Sequence, residues 1–151
     1  MKTLTKAVLV LLISATSFAS FAQKVDAPKK SVFNNFPGAV DISTTMLKNS
    51  FVTKSGQAIA IPFNEKFIFK GKVLSNEIKY SNLQSMIIKS ENAGNVVFQL
   101  SKITNKDNSI SYVGRIINTE ALEVYEIKND LANNYRLQKI DLDKILQDCS
   151  Y

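Results

Sequence analysis

The sequence predicts a mainly β domain: an antiparallel sandwich, barrel or curved meander of about 7–9 short strands followed by a short C-terminal helix. Three observations carry that expectation. Between residues 51 and 140, runs rich in Val, Ile, Phe and Tyr recur with polar or glycine-containing breaks between them, at the ~8–12-residue spacing of sheet proteins. Several runs alternate apolar and polar positions, which sends successive side chains to opposite faces of a strand. Beyond residue 140 the period changes. Leu142, Ile145, Leu146 and Cys149 stand at i, i+3, i+4 and i+7, one face of a helix, with Asp141 in the capping position.

The domain is preceded by a segment of different character. Lys2 and Lys6 form a basic start, residues 7–15 (AVLVLLISA) an apolar core, and Ser20, Phe21 and Ala22 a small-residue cleavage site. The apolar core falls short of the ~20 residues needed to span a bilayer. Residues 1–22 therefore read as a signal peptide, and the mature chain as an exported protein, periplasmic or extracellular, without stable membrane insertion. No cysteine follows the apolar core, so a lipidated terminus is not expected. Residues 23–31 (QKVDAPKKS) hold one valine, a proline and three lysines, too little apolar surface to order themselves, and read as a flexible tether. Residues 32–151 form a single β-rich domain, large enough to stand on its core; Cys149 is the only cysteine, so no internal disulfide can form.

Taken in order, Phe33 and Phe36 flank a Pro37-Gly38 turn and are expected to pin the start of the domain to its core. Residues 40–51 are ambiguous: the threonines favour a strand, while Asp41 or Ser43 could cap a short helix carrying Met46 and Leu47. Residues 51–53 and 58–61 read as a hairpin turning through residues 54–57, with Pro62 ending the second strand. Residues 67–74 (FIFKGKVL) are a strand with Phe67, Phe69 and Val73 on the core face, and Gly71 marks a bulge, a bend or a close backbone approach. Separate short strands are expected over 78–80 and 86–89, then a cleanly alternating one over 96–103.

Residues 110–140 read as the spine of the sheet. In its first strand Tyr112, Gly114 and Ile116 share one face and Val113, Arg115 and Ile117 the other, with one charge in the run. Both faces are thus expected to be partly covered, as in a central strand. Gly114 invites the same reading as Gly71. Further strands follow near 124–127 and 135–138, and residues 118–122 and 129–134 are the expected exposed loop tips.

The chemistry is mostly exclusion. The chain has no histidine, which removes the commonest general base, the triads built on it and the histidine-dependent zinc sites. It also lacks a Ser-x-x-Lys pair, a Gly-x-Ser-x-Gly elbow and a glycine-rich phosphate loop. Glu120, Glu123 and Glu126 recur at threes, but on a strand Glu123 and Glu126 face opposite sides, so local spacing makes no glycosidase pair. Asp141 and Asp143 suit helix capping. The 105–109 loop resembles the start of a calcium loop, yet Ile110 and Ile116 stand where the glycine and glutamate belong. Tyr80, Tyr112, Tyr125, Tyr135 and Tyr151 could line a binding platform, although packing explains those inside strands. Loss of Lys2 and Lys6 takes the net charge from +6 to +4, and with only two arginines the scattered lysines read as a solvated surface, not a nucleic-acid site.

No catalytic, cofactor-binding or metal-ligating residue is therefore assigned, and no cofactor is implied. The reading is a non-enzymatic exported domain that binds a protein or a cell-surface polymer in the bacterial envelope. Two alternatives stand beside it: a small inhibitor or propiece-like regulator of a secreted enzyme acting through an exposed edge strand, and a carboxylate- or lysine-dependent hydrolase.

Overall fold

The computed structural model describes residues 31–33, 36–65, 67–93, 95–121, 123–130 and 134–140. They form eight strands and one short helix: β1 (Ala39–Ile42), α1 (Thr44–Ser50), β2 (Ala58–Pro62), β3 (Ile68–Tyr80), β4 (Leu83–Ser90), β5 (Val96–Thr104), β6 (Ile110–Asn118), β7 (Glu123–Asn129) and β8 (Tyr135–Ile140). All eight strands belong to one antiparallel sheet in the order β1-β8-β7-β6-β5-β4-β3-β2. The sheet curls into a half-barrel, the curved-meander form of the predicted class, and is neither a sandwich nor a closed barrel. From β2 to β8 each strand pairs with the next in sequence, and only β1 crosses over, to lie against β8.

The two-residue period fills the concave side. Phe69, Val73, Met86, Ile88, Phe98, Leu100 and Ile116 are all buried on the inner positions of β3 to β6, each worth ~1.5–3 kcal/mol of transfer free energy. Leu47 of α1 inserts into the same cluster at 0% exposure. The helix and the turn residues 51–57 after it join β1 to β2, the two edge strands, and so bridge the open side of the half-barrel. Phe33 and Phe36 pin the chain start as expected, with Phe33 edge-on to Tyr125 at 5.2 Å and Phe36 against Phe67 at 4.3 Å.

Two glycines permit the curl. A Cβ on Gly71 would lie 2.5 Å from the carbonyl oxygen of Lys89, and one on Gly114 would lie 2.7 Å from that of Gln99. Each admits a neighbouring backbone closer than any side chain allows.

Several expectations need correction. The ambiguous 40–51 segment divides at Ser43, with β1 before it and α1 after it; Ser43 sits at the cap position without making a side-chain cap bond. Residues 51–53 are not a strand. Phe51 ends α1, and the side-chain amide of Asn76 binds the carbonyls of Phe51 and Thr53, both at 2.9 Å, so a tertiary contact overrides β propensity. The 78–80 run is no separate strand but the end of the 13-residue β3, which absorbs register shifts between Val73 and Ser75 and between Ile78 and Tyr80. In β6, Tyr112 and Ile116 are buried while Val113 and Arg115 are exposed. It is an interior strand with one solvated face, because a single sheet has nothing layered on its convex side. The predicted C-terminal helix with Cys149, the 1–22 leader and all of the 23–31 tether except Ser31 lie outside the described residues.

Candidate functional site

Both edge strands, β1 and β2, leave backbone polar groups unpaired, and those of β2 lie beside a groove and a row of cations. Val73 donates its N–H to the carbonyl of Gln57 at 2.9 Å, and Phe63 donates to that of Phe67 at 2.9 Å. With the β2–β3 register, this places the odd-numbered residues of β2 in the hydrogen-bonded pairs. Ala58 and Ala60 therefore turn both N–H and C=O away from the sheet, and Pro62 turns its C=O the same way. The side chains of Ala58 and Ala60 lie on the exposed convex face, and those of Ile59 and Ile61 point inward. Between this edge and α1 runs an open groove of about 440 Å³, walled by Ile59 and Ile61 on one side and Met46, Asn49 and Thr53 on the other.

A row of cations lies just behind that edge. On the convex face Lys70 pairs across from Ala60, and Lys72 lies between Ala58 and Lys89. Lys70, Lys72 and Lys89 form no ion pair with any described residue, and Lys72 stands directly opposite Lys89, a like-charge cross-strand pair that costs stability. Ile68 and Leu74 on the same strand are 46% and 54% exposed.

In the opposite half most described cations are paired. Arg115 binds Glu126 through Nε at 3.0 Å and Nη2 at 2.7 Å, Lys128 pairs with the other oxygen of Glu126, and Arg136 meets Asp41 at 2.8 Å. Hydrogen bonding from Lys128, then from Arg115, outweighs partial burial and holds the Glu126 carboxyl below its ordinary range. Glu123 accepts from Ser31 Oγ, Val32 N–H, Asn118 Nδ2 and Lys139 Nζ. Burial pushes its carboxyl up, and these four donors together bring it below the usual value. It ties the chain start to β6 and β8 and has no capacity left for catalysis.

The other sequence candidates are structural. Glu123 and Glu126 do face opposite sides of β7. The 105–109 loop is a hairpin turn closed on itself: Asp107 accepts from Ser109 N–H and Oγ, which lowers its pKa, and Asn108 takes φ 63°. Tyr112, Tyr125 and Tyr135 are core residues; Tyr135 Oη accepts the N–H of Tyr112 at 3.2 Å, and Tyr125 Oη donates to the carbonyl of Pro37 at 3.1 Å. Burial raises the pKa of Tyr112 and Tyr125. Tyr80 is 70% exposed, and Tyr151 lies outside the described residues. Beside the 129–134 loop is a recess of about 480 Å³ whose cation, Arg136, is already held by Asp41.

Among the described residues no three His, Cys, Asp or Glu side chains come together as a metal site, and every buried side-chain nitrogen or oxygen has a partner. No described helix is long and apolar enough to cross a membrane. No known protein family, curated protein or solved structure matches the chain. The β2 edge and its lysines escaped sequence reasoning because the signal is non-local: Lys70, Lys72 and Lys89 are scattered in the chain and gather only through strand register. Pro62, a residue confined to sheet edges, was the one local sign.

Proposed function

We propose that this is an exported, non-enzymatic domain that binds a protein or surface polymer of the bacterial envelope through its outer surface. The observation that carries the reading is the filled concave side. Half-barrels that hold small molecules keep a lined cavity there, whereas here Phe98, Leu100, Met86, Ile88 and Leu47 occupy it at 0% exposure. Recognition then falls to strand edges, grooves and the convex face. The mature chain, residues 23–151, is expected to co-sediment saturably with isolated envelope material and to leave ester, glycoside and peptide substrates unchanged. Turnover of any such substrate above a buffer control, or sedimentation that does not saturate, overturns the proposal.

The free β2 edge favours a second reading, a regulator that inhibits a secreted hydrolase by strand addition. Its test is direct. Adding the mature chain to a culture supernatant should lower one hydrolase activity in proportion to dose, and an unchanged activity profile removes this reading.

A further inference from the structure

We infer that the β2 edge is a strand-addition site for an extended acidic peptide whose side chains alternate acid, apolar, acid. The inference rests on the surface-binding reading above and gives it a location and a chemistry.

The geometry sets the pattern. A peptide laid along β2 would exchange N–H and C=O groups with Ala58 and Ala60, the residues whose backbone points outward. Residues opposite these alanines project onto the convex face, beside Lys72 and Lys70. Adjacent strands stand ~4.8 Å apart, so the incoming strand lies about 10 Å from the lysine-bearing one. The intervening side chains are only methyl groups, and the flexible lysine stem can reach a carboxylate across them. The residue opposite Ile59 projects the other way, into the groove between Ile59 and Met46, and must be apolar.

Charge decides among occupants. Lysines placed near an edge often deter unwanted pairing, but a deterrent belongs on the edge strand, where it obstructs the incoming backbone. Here the edge positions are Ala58 and Ala60, with Pro62 only at the strand's end, and the lysines sit one strand behind. At the other edge the pattern is reversed: β1 carries Asp41 in its own strand, already paired with Arg136. A second copy docking edge to edge would place its own uncharged alanines beside Lys70 and Lys72, with its lysine row about 14 Å away, and would leave both rows without a carboxylate. A non-peptide polyanion would leave the outward N–H and C=O groups of Ala58 and Ala60 unused.

The test uses the mature chain and a fluorescein-labelled peptide, Gly-Glu-Val-Glu-Val-Glu-Gly, read by fluorescence anisotropy and by amide chemical-shift mapping. Saturable binding is expected, with the largest shifts at Ala58 and Ala60. A peptide N-methylated at its glutamates and one carrying lysine for glutamate should each bind at least tenfold more weakly. Ala60→Pro removes an outward N–H without touching the β2–β3 ladder and should weaken binding at least tenfold; Lys70→Glu/Lys72→Glu should do the same if the proline variant fails to fold. Equal binding of the N-methylated peptide marks a polyanion surface and overturns the inference, as does a dimer in sedimentation that Ala60→Pro disperses. If the acidic peptide does not bind, while envelope co-sedimentation persists undiminished in Ala60→Pro, the edge assignment fails and the surface-binding reading survives. If both are absent, both fail.

Discussion

The two halves of the sheet are built alike on the inside and differently on the outside. Strands β2 to β4 and strands β6 to β8 with β1 contribute to one buried cluster and curl by the same device, a glycine admitting a neighbouring carbonyl. In charge they diverge. Residues 52–104 carry seven lysines against three glutamates, whereas residues 105–140 hold five cations and five acids. In the second half Arg115, Lys128, Arg136 and Lys139 each have a carboxylate partner; among the described residues of the first, only Lys79 does, with Glu77 at the far tip of β3. Unpaired cations beside the free β2 edge thus set the first half apart from the second.

The comparison can be broken or sharpened by substitution. The largest effect is expected at the bridge between the two edges: Leu47→Ala should cost about 2–5 kcal/mol in urea unfolding, because the methyl groups removed leave a cavity under α1 that a packed sheet cannot collapse into. A cost below 1 kcal/mol would mean that the helix does not bind the halves together. Next are the glycines. Gly71→Ala and Gly114→Ala should each destabilise by about 1–3 kcal/mol, since a methyl would press on backbone oxygen in both places. Comparable losses confirm a shared curling device, and a loss at one site only restricts it to that half.

Glu123→Gln tests the completeness of the second half, with an expected loss of about 1–3 kcal/mol at neutral pH. Its folded-state pKa lies below the reference 4.5, so its stabilisation is present above that value and disappears as pH falls through the folded pKa. The thermal-melt difference between the variant and the native chain should therefore shrink below pH 4.5. A difference that stays constant into acid would assign the loss to packing. The smallest effect has the opposite sign. Lys72→Glu places a carboxylate opposite Lys89 and should stabilise the fold by about 0.2–1 kcal/mol while weakening the acidic peptide. A variant that gains stability and loses binding separates the two roles of this face. Arg115→Ala, the matching change on the other half, should lower stability by less than ~1 kcal/mol and leave peptide binding intact.

Much of the fold is legible without coordinates because alternation is local. Phe67, Phe69 and Val73, and likewise Val96, Phe98 and Leu100, announce a buried face by themselves, and both sets are buried. Gly71 and Gly114 likewise interrupt good strands and so signal close approach. Legibility ends where a distant residue decides. The 51–53 run has strand-forming residues, yet Asn76, 23 to 25 residues away, holds it as a turn. Ile78 to Tyr80 read as an isolated strand because bulges cannot be seen in composition, only in the partner's register.

The sequence by itself determined most of the strand-forming segments, the inward side chains of those strands and the absence of histidine chemistry, since each depends on residue type and short-range period. Tertiary structure alone decided that the sheet stays open, that β1 crosses to β8 so that β2 is left as an edge, and that three scattered lysines form one row behind it. Those are outcomes of pairing between strands, and hydrogen-bonded pairing obeys register and curvature that no single segment encodes.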